Sequence, residues 1–134
     1  MNSTLPTIGI ADDHAQVRGI MRWLLTNSNF PVIMEAANGK ELLEQLETAT
    51  EIPEVCLLDV NMPEMDGFET ARKIKEKWPS IRILAISSDT HLDTANKMLQ
   101  MGADKFISKS CTVTELKEAI MSIAKNRKIV SQEV

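Results

Sequence analysis

The 134-residue sequence predicts a single α/β domain built around an open parallel β-sheet. Five short apolar segments alternate along the chain with five longer segments of helical periodicity. Several of the apolar segments are hydrophobic almost throughout, as in strands that are covered on both faces. A βα unit repeated five times therefore predicts helices on both faces of the sheet, joined by right-handed crossovers.

The apolar segments predict the strands, and stripes at i, i+3 and i+4 predict the helices. The predicted strands are residues 8–11, 32–34, 55–58, 81–86 and 106–107. We expect each helical stripe to form a buried face. The stripes are Val17, Ile20, Met21, Leu24 and Leu25; Leu42, Leu43 and Leu46; Phe68, Ala71, Ile74 and Trp78; Leu92, Ala95, Met98 and Leu99; and Val113, Leu116, Ile120 and Ile123.

Two helix ends carry their own signatures. Gly102 follows the fourth stripe, where glycine is a common left-handed C-cap. Thr112 and Glu115 stand three residues apart before the fifth stripe and predict a capping box. The predicted domain covers residues 1–125, and residues 126–134 are interpreted as a tail or the start of a linker.

Composition excludes several classes of function. The formal net charge of −4 disfavours binding to a nucleic-acid backbone, which needs a basic face. Lys125, Arg127 and Lys128 are interpreted as a solvated last helical turn rather than a nucleic-acid patch. Two unpatterned cysteines, Cys56 in an apolar strand and Cys111 in a polar stretch, indicate neither a disulfide framework nor a zinc site.

The same reasoning concerns metals and membranes. His14 and His91 are far apart, so a metal site built on histidine is not expected. Residues 1–6 lack the plan of a signal peptide, and no apolar run approaches the ~20 residues that span a bilayer. We therefore expect a cytoplasmic protein without a membrane partner.

Polar side chains follow four of the five predicted strands. They are Asp12 and Asp13 after the first, Asp59 after the third, Ser87 after the fourth and Lys109 after the fifth. Ligands of open parallel sheets bind at this carboxyl edge. Converging carboxylates repel one another unless a cation bridges them, and Mg2+ favours such oxygen ligands. A carboxylate can also accept a phosphoryl group, whose oxygens a lysine and a serine would neutralise and orient.

Each of these residues also has an ordinary structural interpretation. Asp12 and Asp13 could cap the first helix, and Asp59 could be a turn residue. Ser87 could be a turn or cap serine, and Lys109 a solvated lysine. All of these separate interpretations would have to be true at once for residues that lie at one edge of the sheet. A single shared site is therefore the better explanation.

Four segments carry a family resemblance. They are Ile-Ala-Asp-Asp-His at 10–14, Leu-Leu-Asp-Val-Asn-Met-Pro-Glu-Met-Asp-Gly at 57–67, Ala-Ile-Ser-Ser at 85–88 and Gly-Ala-Asp-Lys-Phe-Ile-Ser-Lys at 102–109. Over roughly residues 6–125 the chain resembles the response-regulator receiver domain of bacterial two-component systems. The resemblance implies a flavodoxin-like (βα)5 fold with strand order 2-1-3-4-5.

The resemblance also implies a role for each site residue. Asp59 is the expected phosphoacceptor, with a sensor histidine kinase as donor. Ser87 and Lys109 are expected to contact the phosphoryl oxygens. Phe106 is expected to turn inward when Ser87 moves, which would change the surface of the fourth helix, fifth strand and fifth helix. A plain core aromatic remains the alternative for Phe106.

Metal binding and the lifetime of the phosphoryl group follow from the same resemblance. Asp12, Asp13, Asp59 and the backbone carbonyl of Asn61 are the expected Mg2+ ligands, with one acidic residue able to act through water. Asn61 and Asp89 lie two residues beyond Asp59 and Ser87, where they would position or block a hydrolytic water. We therefore expect a phosphoacceptor that promotes its own phosphorylation and dephosphorylation, rather than an enzyme acting on other substrates.

One departure from the family pattern lies in the loop after the fifth strand and also bears on the branch of the family. Ser110 follows Lys109 where proline, often in a cis bond, is usual, so either a trans bond with a rerouted loop or local strain is expected. This departure and His14 are associated with the LuxR/NarL-type branch. That branch implies DNA binding only through an output domain outside this chain, with phosphorylation-dependent homodimers possible.

Three other functions compete with this interpretation. A Mg2+-dependent phosphohydrolase with an aspartyl intermediate typically needs a second aspartate where this chain has Asn61. A flavin or nucleotide binder on the same fold is disfavoured because the chain has neither a P-loop nor a GxGxxG motif. A pseudo-receiver that signals without phosphorylation is disfavoured by the intact acidic group.

Overall fold

The computed structural model describes residues 5–132, with side chains described through residue 124. Five parallel strands form one sheet in the order β2-β1-β3-β4-β5, which confirms the predicted class and strand order. The strands are β1 Ile8–Ala11, β2 Val32–Ala36, β3 Val55–Asp59, β4 Arg82–Ser87 and β5 Lys105–Ser108. The helices are α1 Ala15–Asn27, α2 Gly39–Thr48, α3 Gly67–Lys77, α4 Leu92–Gln100 and α5 Val113–Gln132.

The sheet separates two apolar cores. One core contains side chains of α1 and α5, such as Leu25 and Ile120. The other contains side chains of α2, α3 and α4, such as Leu42, Ile74 and Met98. Because both faces are covered, β3 is buried along its whole length, which explains why its sequence is almost continuously apolar. Cys56 lies in this strand and is buried as predicted.

Three predicted stripes are less buried than expected. Ile20 is 59% exposed because the buried side of α1 is centred between Met21 and Leu25, more than a quarter turn away. In α4 only Met98 is buried, while Leu92 is 73% exposed and Leu99 is also exposed. The reason is that, among the described elements, α4 packs mainly against α3 and the edge strand β5. Val113, at the start of α5, is exposed as well.

Both helix-end signatures are confirmed and β1 has the predicted limits, while the other four strands shift at one or both ends by one or two residues. Thr112 and Glu115 form the capping box, since each side chain accepts a hydrogen bond from the other residue's backbone N–H. Gly102 has φ +118°, the left-handed region that favours glycine. Ile81 precedes β4 because its N–H donates to the carbonyl of Trp78 in a turn.

The end of α5 differs from the expectation. The helix backbone continues to Gln132, so Lys125, Arg127 and Lys128 lie inside it and not in its last turn. Their side chains lie outside the described residues, as do residues 1–4 and 133–134 altogether, so the boundary at residue 125 stays a prediction. Among the described helices, none combines the length and apolarity needed to cross a bilayer.

Gly67 allows α3 to begin directly against the end of β3. Its N–H donates to the carbonyl of Val60, 2.7 Å away. A Cβ atom at this position would lie 2.5 Å from the backbone oxygen of Asp59 and 2.7 Å from the Cα of Val60. Since both contacts are with backbone, they cannot be relieved by a side-chain rotation.

We predict that Gly67→Ala lowers the free energy of unfolding by about 2–4 kcal/mol because it overpacks the α3–β3 junction. Chemical denaturation followed by circular dichroism measures the change. Gly19→Ala in α1 is the matched control, since its Cβ would lie 4.0 Å from Arg22 Nη2. That variant should gain about 0.5–1 kcal/mol from helix propensity. Equal effects of the two substitutions would contradict the close approach.

Candidate functional site

Three carboxylates meet at the carboxyl edge of the sheet. Because β1 and β3 are neighbours, Asp12 and Asp13 after β1 lie beside Asp59 at the end of β3. Asp12 and Asp59 are buried. Ligand atoms of these three residues and of His14 all lie within 4.8 Å of one another. The predicted convergence of acidic side chains is therefore present.

Lys109 supplies the opposing charge. Its Nζ lies 2.9 Å from Asp12 Oδ2 and 3.3 Å from Asp59 Oδ2, and its side chain is only 18% exposed. Burial lowers the pKa of Lys109, but the Asp12 and Asp59 carboxylates outweigh burial and raise that pKa above its usual value. Lys109 is therefore not a solvated lysine but the cation of the acidic edge.

The loop after β5 reaches this position without proline. The described backbone contains no cis peptide, so the Lys109–Ser110 bond is trans. The N–H of Lys109 donates to the carbonyl of Ser87, and the N–H of Ser110 donates to the hydroxyl of Ser108. Of the two expected outcomes, a trans bond is the one observed, and Lys109 still contacts both aspartates.

Asp59 has a pKa raised to about 6. Burial is the largest cause, and the nearby charge of Asp12 adds to it. Lys109 and the backbone N–H of Asn61 act in the opposite direction, since both interact with the ionised form. Asp59 is thus a buried, tightly held carboxylate and not an ordinary turn residue.

Asp12 is not the N-cap of α1. The N-cap residue is His14, and Asp12 Oδ1 accepts a hydrogen bond from its N–H at 2.9 Å. Asp12 Oδ2 is buried and contacts the Lys109 ammonium, but has no well-aligned hydrogen bond to the described residues. Arg18 fixes the backbone here by donating to the Asp12 carbonyl at 2.6 Å.

Sequence reasoning missed the proximity of His14 to this site. Its Nδ1 lies 3.3 Å from Asp13 Oδ1 and 3.6 Å from Asp12 Oδ1. Because His14 and His91 are far apart along the chain, the expectation was only that no metal site is built on histidine. The sequence feature that indicates this proximity is the position of His14 directly after the acidic pair Asp12 and Asp13.

Ser87 and Phe106 lie on the same face of the sheet. Ser87 ends β4 and is buried, and its hydroxyl accepts a hydrogen bond from the N–H of Asp89 at 2.9 Å. It does not cap α4, whose N-cap is His91. Phe106 pairs with Ala85, two residues before Ser87 and therefore on the same face. Phe106 is partly buried against the α2–α4 core.

The chain combines a parallel flavodoxin-like sheet with a carboxyl edge at which aspartates pair with a lysine. This combination defines a class of α/β domains whose site is able to hold cations and phosphoryl groups. The family profile of the response regulator receiver domain matches residues 8–121. The chain belongs to this family, and is a receiver domain of a two-component response regulator.

Individual relatives support the NarL branch of the family. The chain is 33% identical to the nitrate/nitrite response regulator protein NarL of Escherichia coli K12 over 132 residues, covering 98% of this chain and 60% of NarL. It is 31% identical to the response regulator protein VraR of Staphylococcus saprophyticus over 124 residues, covering 92% of this chain and 58% of VraR. The chain thus spans less than two thirds of these relatives.

The fold is also similar to solved receiver domains. A signal receiver domain assigned to NarL of Mycobacterium tuberculosis superposes with a TM-score of 0.82 at 32% identity. The superposition covers 92% of this chain and 98% of that domain.

We predict that Asp59→Asn stabilises the protein at pH 7.5 without Mg2+, by about 1–3 kcal/mol. The folded-state pKa of about 6 lies above the ordinary 3.8, so folding stability falls as pH rises through that interval. Asparagine removes this cost, and the gain should disappear near pH 4. Urea denaturation at both values of pH measures the effect.

Asp104→Asn is the matched control at the opposite end of the sheet. Asp104 Oδ2 lies 3.0 Å from Lys75 Nζ and accepts a hydrogen bond from the N–H of Ile83. Its neutralisation should lower stability by about 0.5–1.5 kcal/mol. A gain for Asp59→Asn that is the same at both values of pH would contradict the raised pKa.

Proposed function

We propose that Asp59 accepts a phosphoryl group from the phosphohistidine of a sensor histidine kinase, within a cytoplasmic transcription regulator. The observation that carries the proposal is the convergence of Asp12, Asp13, Asp59 and Lys109 at one edge of the sheet. Asp59 is the central member, since it touches the lysine and lies at the end of the middle strand.

The acidic edge fits a divalent cation. Asp12 and Asp13 each offer a buried carboxylate oxygen that lacks a well-aligned hydrogen bond to the described residues. The carboxylate oxygens of the three aspartates suit Mg2+ better than softer metals. Asp12, Asp13, Asp59 and the backbone carbonyl of Asn61 would hold it, with one carboxylate acting through water. When bound, Mg2+ supplies positive charge that offsets the phosphoryl oxygens.

Phosphoryl transfer then needs little more from the protein than position and charge. A carboxylate oxygen of Asp59 bonds to phosphorus in line with the phosphorus–nitrogen bond of phosphohistidine, which breaks as histidine leaves. The Lys109 ammonium, already 3.3 Å from Asp59 Oδ2, would pair with one phosphoryl oxygen. The hydroxyl of Ser87 would donate to another. A small donor such as acetyl phosphate would substitute for the kinase.

The kinase is proposed to dock beside α1. Ile20 and Trp23 project from this helix, with Trp23 63% exposed. A groove between α1 and α5, lined by Val17, Leu24 and Leu116 among others, continues this apolar surface toward Lys109. A docked helix of the kinase would therefore reach the acidic edge from this side.

The output is proposed to arise at α4, β5 and α5. Ser87 and Phe106 share one face of the sheet, so a movement of the serine opens space on the side of the aromatic ring. Leu92 on α4 is exposed on the surface that would change, whereas Val113 at the start of α5 lines the groove beside α1. We propose that this surface controls a DNA-binding output domain outside this chain, with a phosphorylation-dependent homodimer as one form of control.

Two of the three competing functions, the phosphohydrolase and the pseudo-receiver, make predictions at this site that differ from those of a phosphoacceptor. A phosphohydrolase would turn over many equivalents of an external substrate, but Asn61 occupies the place of the required second acid. A pseudo-receiver would not form an aspartyl phosphate. The receiver interpretation instead predicts a single adduct on Asp59 that the domain itself slowly hydrolyses.

We predict that incubation with acetyl phosphate and Mg2+ adds the mass of one phosphoryl group to the intact protein. Asp59→Asn should abolish the adduct because no acceptor carboxylate remains, and chelation of Mg2+ should abolish it in the parent. Intact-mass spectrometry measures both. Absence of an adduct with acetyl phosphate and with a kinase mixture would favour the pseudo-receiver.

We predict that Mg2+ raises the free energy of unfolding, by roughly 1.4 kcal/mol when its concentration is about ten times Kd. Asp12→Asn should remove most of this increase because it takes away a buried ligand oxygen. Asp93→Asn, on the exposed first turn of α4, is the control and should keep it. An equal loss in both variants would refute the assigned ligands.

A further inference from the structure

The Asp89 carboxylate, in the β4–α4 loop, is held at both of its oxygens. Oδ1 accepts a hydrogen bond from the N–H of His91 at 3.0 Å and lies 2.5 Å from His91 Nδ1. Oδ2 accepts a hydrogen bond from the Thr94 hydroxyl at 2.8 Å. The N–H of Asp89 donates to Ser87 Oγ, so the same residue links Ser87 to the first turn of α4.

We propose that Thr94 is a positioning residue that prolongs the phosphorylated state by holding the Asp89 carboxylate on α4. The inference rests on the proposed function of Asp59. Among the described contacts of the Asp89 carboxylate, Thr94 supplies the only hydroxyl, and it lies on the helix rather than on the loop. A hydroxyl in this place restrains the carboxylate without neutralising it.

The chemistry of dephosphorylation explains why this restraint matters. A water oxygen bonds to phosphorus as the bond between phosphorus and Asp59 breaks, which restores the carboxylate and releases inorganic phosphate. The water must give up a proton, and a nearby carboxylate assists by accepting it. A released Asp89 could turn toward this water, whereas an anchored Asp89 has one oxygen engaged by His91 and the other by Thr94 on α4. Loss of the Thr94 hydroxyl should therefore speed hydrolysis.

A purely structural role for this contact is the competing explanation. The N-cap residue His91 makes no side-chain capping bond, and a carboxylate near a helix N-terminus is favourable in itself. In that case Thr94 would affect the stability of α4 and not the lifetime of the aspartyl phosphate. The two explanations separate in a double-mutant cycle with Asp89.

The test is the half-life of the phosphorylated full chain after removal of acetyl phosphate, followed by intact mass. Thr94→Val, which keeps the shape and removes the hydroxyl, should shorten the half-life about 3–10-fold, as expected for one lost hydrogen bond. Thr94→Ser should restore it. Thr90→Val, at an exposed threonine of the same loop, is the matched control and should decay like the parent.

The decisive comparison uses the Asp89→Ala background, in which Thr94→Val should have no further effect. A half-life unchanged or lengthened by Thr94→Val, or shortened equally in that background, would overturn the inference. If the variants form the adduct normally and only these decay results fail, the proposed function still stands. If the parent forms no adduct, the proposed function fails and this inference falls with it.

A second readout needs no phosphorylation. Hydrogen bonds from the backbone and ring of His91 and from Thr94 lower the pKa of Asp89 to about 2. Carbon-13 NMR titration of this carboxyl should show a higher pKa in Thr94→Val and the parent value in Thr94→Ser. An identical pKa in all three proteins would show that Thr94 does not hold the carboxylate, and would overturn the inference.

Discussion

The organisation of this receiver domain depends on the electrostatic repulsion among carboxylates at the carboxyl edge of the sheet, where Asp12 and Asp59 are buried away from water. Asp12 and Asp59 are buried side by side because β1 and β3 are neighbours. Burial without a counter-charge would be costly. Lys109 provides that charge from the edge strand β5, two strands away from Asp59. Its long side chain must cross the end of β4, so Ser87 and the loop after β5 are held close to the acidic group by the same requirement.

Much of the fold was predictable from local patterns, because strands buried on both faces have nearly continuous apolar sequences. The strand order was not, since periodicity carries no information about neighbours and only the family resemblance implied it. The errors have the same origin. The spacing of Ile20 and Leu92 fits a helical stripe, but spacing cannot show whether another element covers that side. α4 packs mainly against the sheet edge and α3, so half of its stripe, Leu92 and Leu99, stays exposed.

At the site, the residues at strand ends could be predicted from chemistry and topology together. Asp12, Asp59 and Lys109 meet as expected because parallel strands end at one edge. The contacts made within loops could not be predicted. The proximity of His14 to the aspartates depends on how the chain turns into α1, and the hold on Asp89 depends on the direction of α4. Such turns are set by backbone hydrogen bonds that leave no clear pattern in the sequence.

The sheet divides the interior into two apolar cores that do not share helices. The proposed kinase-facing helix α1 belongs to one core, and α4 with Phe106 belongs to the other. Substitutions on α1 and on α4 are separated by the sheet, so their effects on stability should add. Helix α5 is different, because it packs in the core of α1, lines the groove beside α1 and also forms part of the proposed output surface. During evolution α1 and α4 can therefore drift independently, whereas a change in α5 has to satisfy both proposed surfaces at once.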